Sequence, residues 1–454
     1  MAADLLPVPG LASFRASLPS WPVEKSIEHL ISLFRRRQIR GPKPCALATA
    51  WLLRKVVSTT RATEPGKLIL RVQDVGKKLV EAAPRELTVG NIVRRVLGAI
   101  REEEENREAD TPLGSEPNSI PPTPAGELPT SFLPASAIAP ARDDSPLGRP
   151  QNRPALLSQQ TGGPERRPAV TSMFSIMAHP TMRGSAGGSS PIRSGSSTPS
   201  TVPQPPQNTD FRAEVLEAIT EIVDELDQAD EQVAGYALDH ISSQETIFTY
   251  STSPVVQRFL LKAASKRKFT LIQAESYPNS HKATHATVIG SKIPEGYEDL
   301  DTESFSKPLI AYGITVLLIP DSSIFALMSR ANKVIISATG VLSNGSIVAA
   351  AGTKPLVTAA RFHRVPVIVL AETYKLSPVV PYDPFDFVDY GDVQKVVPYQ
   401  DREMQLGLQS VQNPVTDFVE SEYVDMFVTN LGGVATGYMY RTIRDQYHDE
   451  DLEL

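Results

Sequence analysis

The chain reads as an α/β protein. An N-terminal helical bundle precedes a Rossmann-like, mainly parallel α/β domain, and a long disordered insertion lies inside the helical region. Three observations predict this. Apolar residues recur at helical spacing from Val23 to about Glu105 and again from Phe211 to about His240. From Glu245 onward, short apolar runs alternate with helical patterns, the rhythm of strands buried on both faces. Between these blocks, residues 107–209 contain almost no aromatics and about half of the 39 prolines. The implied divisions are residues 1–106 and 210–244 for the helical domain, 107–209 for the insertion and 245–454 for the α/β domain.

The helices follow in order. Val23, Ile27, Leu30, Ile31 and Phe34 form one stripe behind Pro22, which suits a first helical turn. A second helix follows Pro44 through Leu47, Trp51, Leu52 and Val56. A third spans Leu68 to Ala83 and stops at Pro84. A fourth runs from Val89 to about Glu105 with Ile92, Val93, Val96, Leu97 and Ile100 on one side. Its acidic end, Glu102 to Glu105, opposes the helix dipole, so fraying into the insertion is expected there. The insertion holds too little apolar surface to offset the entropy of ordering its backbone. A long loop costs a bundle little, because closure entropy grows only logarithmically with length. Val215, Leu216, Ile219, Ile222, Val223 and Leu226 mark a fifth, acidic helix.

Six strands are expected: Thr246–Tyr250, Phe269–Ala274, Thr315–Ile319, Lys333–Ser337, Val365–Leu370 and Met426–Asn430. The link from Asn279 to Lys307 is long, polar and acidic. Tyr438 to Tyr447 resembles a closing helix, with an acidic end after it.

Composition narrows the function. A net charge of −7 and a pI near 5.7 disfavour general binding to nucleic-acid backbone. The basic runs Arg35-Arg36-Arg37 and Lys266-Arg267-Lys268 each close a helical pattern, where cations suit the dipole. The single cysteine, Cys45, excludes an internal disulfide and a cysteine-based zinc site. No apolar run is long enough for a membrane helix, and Met1 to Gly10 lacks the pattern of a signal peptide. A cytosolic protein is therefore expected. No Gly-x-Gly-x-x-Gly run or phosphate loop occurs, so no nucleotide cofactor is expected. Gly432-Gly433 is too short a motif to assign one. His281 and His285 are four apart but have no third ligand near them, so no metal is expected.

In a parallel sheet, ligands sit at the carboxyl ends of the strands. Ser251, Glu275, Asp321, Asn344-Gly345 with Gly352-Thr353, and Lys375 fall at that rim. Each has a plain structural explanation beside a functional one. Asn344-Gly345 reads as a tight turn needing positive φ. Asp321 is a possible N-cap for the helix at Ser322-Ser323. Gly352-Thr353 reads as a helix start.

Order and spacing from Ile319 to Pro378 resemble a family. The run includes Ile319-Pro320-Asp321-Ser322-Ser323, Lys333-Val334-Ile335-Ile336-Ser337, Leu342-Ser343-Asn344-Gly345, Gly352-Thr353 and Val367 to Pro378. It is similar to the domain shared by the regulatory subunits of eukaryotic initiation factor 2B and by aldose-phosphate–ketose-phosphate isomerases. Within the family, the beta branch matches Leu376-Ser377-Pro378 after Tyr374-Lys375, Ser265 to Phe269, Ala326 to Ile336, and Asn430-Leu431-Gly432-Gly433 with Tyr438 to Arg441 and Tyr447-His448.

The resemblance gives the rim residues former roles. The isomerases carry a cysteine after the first strand, where Ser251 stands, and a catalytic aspartate that Asp321 matches. Tyr277 stands in place of an arginine, and Ala350-Ala351 in place of an Asn-Lys pair ahead of Gly352-Thr353. Those exchanges remove a thiol and two cations that hold phosphate; Lys375 remains. Ser251, Tyr277, Asp321, Asn344, Gly345, Gly352, Thr353 and Lys375 are thus expected to form a vestigial pocket with no catalytic role. The resemblance implies a non-catalytic regulatory subunit of a guanine-nucleotide exchange complex. Its delta subunit would be the direct partner through the α/β domains, with alpha, gamma and epsilon subunits completing the assembly. The helical domain would receive the alpha subunit of initiation factor 2, whose phosphorylation slows exchange. The rival is an active isomerase. Apolar turns at Pro378–Tyr382 and Pro384-Phe385 suggest an assembly surface, and the pairs Ser145-Pro146, Ser190-Pro191 and Thr198-Pro199 read as candidates for proline-directed phosphorylation.

Overall fold

Proline and glycine set the helix boundaries in the first half of the chain. The computed structural model describes residues 9–60, 65–110, 211–276, 279, 302–397 and 411–452. Helix α1 (Pro9–Ser17) leads into α2 (Val23–Arg35), whose first turn follows Pro22. Helix α3 (Pro42–Thr59) opens on Gly41, held at φ +86°, with Pro42 fixing the first helical φ. Helices α4 (Pro65–Ala82), α5 (Leu87–Asp110) and α6 (Phe211–Gly235) complete the bundle, and the short α7 (Ala237–His240) packs into the core of the second half. Their stripes meet in one core that includes Leu30, Leu52, Val72, Leu79, Ile92, Leu97, Ile219 and Leu226. Helices α4 and α5 approach closely at Gly76, where an added Cβ would meet Val93 Cγ1 at 2.4 Å.

Two expectations about these helices change. Helix α1 is missed by periodicity because Phe14 is the one fully buried apolar residue among its described side chains. The expected fraying near Glu105 does not occur, and α5 stays helical to Asp110, inside the range given to the insertion. The reason is tertiary. Arg101 pairs with Asp451 at 3.0 Å and with Glu450, and the Arg107 guanidinium lies 5.8 Å from the Phe211 ring at the start of α6. The rest of the expected insertion, with Ser145, Ser190 and Thr198, lies outside the described residues.

The second half is built on a seven-stranded sheet of β1 (Thr246–Tyr250), β2 (Thr270–Glu275), β3 (Thr315–Pro320), β4 (Lys333–Ser337), β7 (Val367–Leu370), β9 (Met426–Thr429) and β10 (Gly432–Ala435). Their order across the sheet is β10-β9-β7-β4-β1-β2-β3. Every pairing is parallel except β9 with β10. A separate antiparallel sheet joins β5 (Gly340–Val341), β6 (Ile347–Ala350) and β8 (Thr416–Val419). The six expected strands lie within two residues of the observed ones. Strands β5, β6, β8 and β10 were not expected: β5 has two residues, and Ile347–Ala350, Thr416–Val419 and Gly432–Ala435 carry fewer bulky apolar residues than β7 and β9.

Helices cover both faces of the large sheet, as buried parallel strands require. Alternate residues divide between two cores. Phe248, Ile272, Val334, Ile336, Val369 and Phe427 face α10 (Ile324–Met328), α11 (Thr353–His363) and α12 (Met439–Arg444). Ile247, Leu271, Ile335, Ile368 and Val428 face α8 (Pro254–Ala264), α9 (Thr302–Ala311) and the end of α6. Among the described residues no helix is long and apolar enough to cross a membrane. Cys45 is fully buried, and burial pushes its thiol pKa well above the ordinary value.

Candidate functional site

The rim sits where β1, β4 and β7 end and α11 begins. Ser251, the residue after β1, holds φ +58°, a left-handed conformation that serine rarely adopts. Its backbone is tied down on both sides: its N–H donates to the Ala274 carbonyl at 2.9 Å, and its carbonyl accepts from Gln273 Nε2 at 3.4 Å.

Tyr250, one residue earlier, fills the space beside it. Its hydroxyl donates to the Ala351 carbonyl at 2.8 Å, and Ser276 Oγ donates to the same carbonyl at 3.0 Å. The tyrosine explains Gly352. A Cβ there would lie 1.7 Å from the Tyr250 hydroxyl, and the backbone sits at φ +99°. Burial pushes the Tyr250 phenol up to about 12; the Ser276 hydrogen bond opposes this, while the charges of Asp321 and Asp417 add to it.

Asp417, on β8, takes the position an anion would occupy. Its Oδ2 accepts from the Gly352 N–H at 2.7 Å and from the Lys354 N–H at 3.0 Å, at the N-terminus of α11. Free N–H groups and the positive end of the dipole make such a terminus a natural phosphate seat. Here the chain's own carboxylate satisfies it. Thr353 is buried and turns its hydroxyl to the Ala350 carbonyl at 2.6 Å. Lys354 Nζ pairs with Glu420 and lies 5.0 Å from the Tyr423 ring.

Lys375 is committed in the same way. It is 4% exposed, with Nζ 2.6 Å from Glu372 Oε2 and 3.5 Å from Ser337 Oγ at the end of β4. Glu372 is fully buried; burial raises its pKa, and the Lys375 charge opposes that rise. A buried ion pair leaves no net charge with which to attract a ligand phosphate.

Asp321 opens a short 3-10 turn, Asp321–Ser323, and makes no side-chain cap there, so the N-cap reading does not hold. Gly352-Thr353 does begin a helix. Asn344 and Gly345 form the turn between β5 and β6, with Gly345 at φ +79° packed toward Thr436 and Ser421. Glu275 is buried at the end of β2. The contacts gather Ser251, Gly352 and Thr353 around Tyr250 and Asp417 and place Lys375 with Glu372, while Asp321 acts on Tyr250 through its charge. Tyr277, His281 and His285 lie outside the described residues. Among the described residues no cluster of His, Cys, Asp or Glu could hold a metal.

Sequence reasoning missed Asp417, Glu420 and the plugging role of Tyr250. Glu372 alone had a local signal, a carboxylate three residues before Lys375. Asp417 lies 65 residues from Gly352, and nothing local marks it.

Comparison with known proteins bears on the family and the fold. The model of the initiation factor 2 subunit family matches residues 38–294 and 299–436. Translation initiation factor eIF2B subunit beta of Schizosaccharomyces pombe is 32% identical over 434 residues, covering 94% of this chain and 97% of that protein. The crystal structure of eIF2B beta from Chaetomium thermophilum superposes with a TM-score of 0.61 at 26% identity, covering 98% of this chain and 97% of the other. A chain of the tetrameric eIF2B-beta2-delta2 complex from C. thermophilum gives 0.60 at 28% identity, covering 97% of this chain and all of the other. With this extent of similarity, the chain belongs to the initiation factor 2 subunit family.

Proposed function

We propose that this chain is a non-catalytic, beta-type regulatory subunit of the cytosolic complex that exchanges guanine nucleotide on initiation factor 2. One observation carries the reading. Asp417 and Glu372 supply, from within the chain, the negative charge that a phosphorylated substrate would bring. Sugar-phosphate isomerisation needs an anchored phosphate and a pair of proton-transfer groups. Here the anchors are already engaged, and a serine stands where the thiol would be.

The apolar surface lies elsewhere. Tyr382 is 92% exposed and Phe385 72% exposed, on the loop beyond β7, with Val380 beside them. Exposed aromatics of this size are the usual anchors of a protein interface. The C. thermophilum beta–delta complex supports a delta subunit as the direct partner. On this reading beta–delta pairs join an alpha dimer, gamma and epsilon subunits attach outside to complete a decamer, and the helical bundle helps to sense phosphorylation of the alpha subunit of initiation factor 2.

The test is co-expression with a delta subunit. The chain should purify as a paired complex, while Tyr382→Ser with Phe385→Ser should abolish pairing and shift stability by no more than about 0.5 kcal/mol, as surface changes do. The complex should show no turnover of aldose phosphates. Turnover that Asp321→Asn removes would establish the isomerase reading instead.

A further inference from the structure

The residues that leave β7 visit the two halves of the molecule in turn. Tyr374 leaves the sheet and joins the apolar core of the bundle, its side chain fully enclosed. Asn91 Nδ2, on α5, donates to the Tyr374 carbonyl at 3.0 Å. Thr373 Oγ1 donates to Glu225 Oε1 of α6 at 2.7 Å. The chain then returns to the α/β half. Leu376 enters the core beneath the sheet, the Ser377 N–H donates to the Val341 carbonyl at 2.7 Å, and Ser343 Oγ donates to the Val379 carbonyl at 3.1 Å. Residues 380–386 follow, carrying exposed Val380, Tyr382 and Phe385. At Asp389 the bundle takes hold again. Arg37, two residues beyond α2, and Arg85, just before α5, both pair with its carboxylate, Arg85 at 3.1 Å. The exposed apolar stretch is thus held at both ends by the bundle, although it belongs in sequence to the α/β half.

The first of these holds is incompletely bonded. Thr88, Asn91 and Arg95 share one face of α5, and Thr88 Oγ1, Asn91 Oδ1 and Arg95 Nη1 are buried without a hydrogen-bond partner among the described residues. Unpaired buried polar atoms weaken a contact relative to a fully bonded one. They also leave donors and acceptors free for a second arrangement. Other buried polar atoms also lack such a partner, among them Asp230 Oδ1, Thr249 Oγ1 and Gln273 Oε1, but Thr88, Asn91 and Arg95 lie together on the helix that holds Tyr374.

We propose that residues 372–389 act as a strap that couples the state of the helical bundle to the presentation of Val380, Tyr382 and Phe385. A shift of α5 at Asn91 moves Tyr374 and, through the short Leu376–Val379 connection, the exposed loop. By thermodynamic reciprocity, a partner seated on that loop biases the bundle. The consequence for subunit pairing rests on the reading of this face as the delta-binding surface.

The test uses Asn91→Leu and Thr373→Val in the full chain co-expressed with a delta subunit. Both positions are almost fully buried, so neither side chain touches a partner directly. Pairing is measured by dilution of the purified complex, and folding by circular dichroism. Each variant should weaken pairing about tenfold, within the range typical of coupled sites, while Lys78→Ala on the exposed face of α4 leaves it unchanged. Should a buried change prevent folding, Arg37→Ala with Arg85→Ala releases the second hold from exposed positions. Folded variants that pair like wild type would overturn the strap. If wild type itself fails to pair, the pairing reading falls and the strap is read instead by hydrogen exchange of residues 378–388 in the isolated chain. Faster exchange in the variants supports it, and unchanged exchange overturns it.

Discussion

The carboxyl rim of the sheet and the loop just beyond it treat their chemistry in opposite ways. At the rim, charged and polar groups are matched inside the chain: Asp417 with the N-terminus of α11, Glu372 with Lys375, and the Tyr250 hydroxyl with the Ala351 carbonyl. A few residues on, the loop leaves Tyr382 and Phe385 almost bare. An enzyme does the reverse, keeping its rim open for substrate and covering large apolar side chains. The difference teaches that one fold can keep the geometry of a cleft while its available binding energy moves to the outer surface.

The sharpest way to break that comparison is at Glu372. Glu372→Ala leaves Lys375 buried and unpaired, and should cost about 3–5 kcal/mol in urea unfolding. If the loss were under about 0.5 kcal/mol, the range of ordinary surface changes, the rim would not be closed as described.

A smaller effect is expected at the α11 cap. Asp417→Ala removes the acceptor for two helix N–H groups and should cost about 0.5–2 kcal/mol, whereas Asp417→Asn retains an oxygen and should cost less. Equal losses for the two variants would show that the contact acts through packing rather than capping.

The smallest effect concerns pH. Glu86 is half-buried at the turn into α5, accepting from the Gly41 N–H at 3.2 Å. Burial raises its pKa above the ordinary 4.5; the Gly41 bond opposes this, Asp389 adds to it, and Arg37 counters it. A raised carboxyl pKa means the folded state binds the proton more tightly than the unfolded chain. This contribution to stability is therefore present below about 4.5 and declines as pH rises from there through the folded value. Glu86→Gln should flatten that decline in thermal melts taken from pH 4 upward. An unchanged slope would place the titrating group elsewhere.

Much of the architecture was legible because it is written in local periodicity. The stripe Val215-Ile219-Ile222-Val223-Leu226 reads directly as α6, and Lys333–Ser337 reads as β4 to the residue. Rim candidates followed from where strands end. Short elements were not legible: β5 has two residues, and β8 carries Asp417 within four. The stability of the acidic end of α5 was misread because its compensating partner, Arg101 with Asp451, spans 350 residues.

By itself, the order of residues determined the helices of the bundle apart from α1, the main strands and the family, since each depends on spacing over a few turns or strands. The tertiary structure alone decided that Asp417 fills the anion seat, that Tyr374 belongs to the bundle core, and that the apolar loop is anchored by the opposite half. The physical reason is range. Periodicity reflects which face of an element avoids water, whereas a hydrogen bond or ion pair between distant segments exists only once the whole chain has chosen its neighbours.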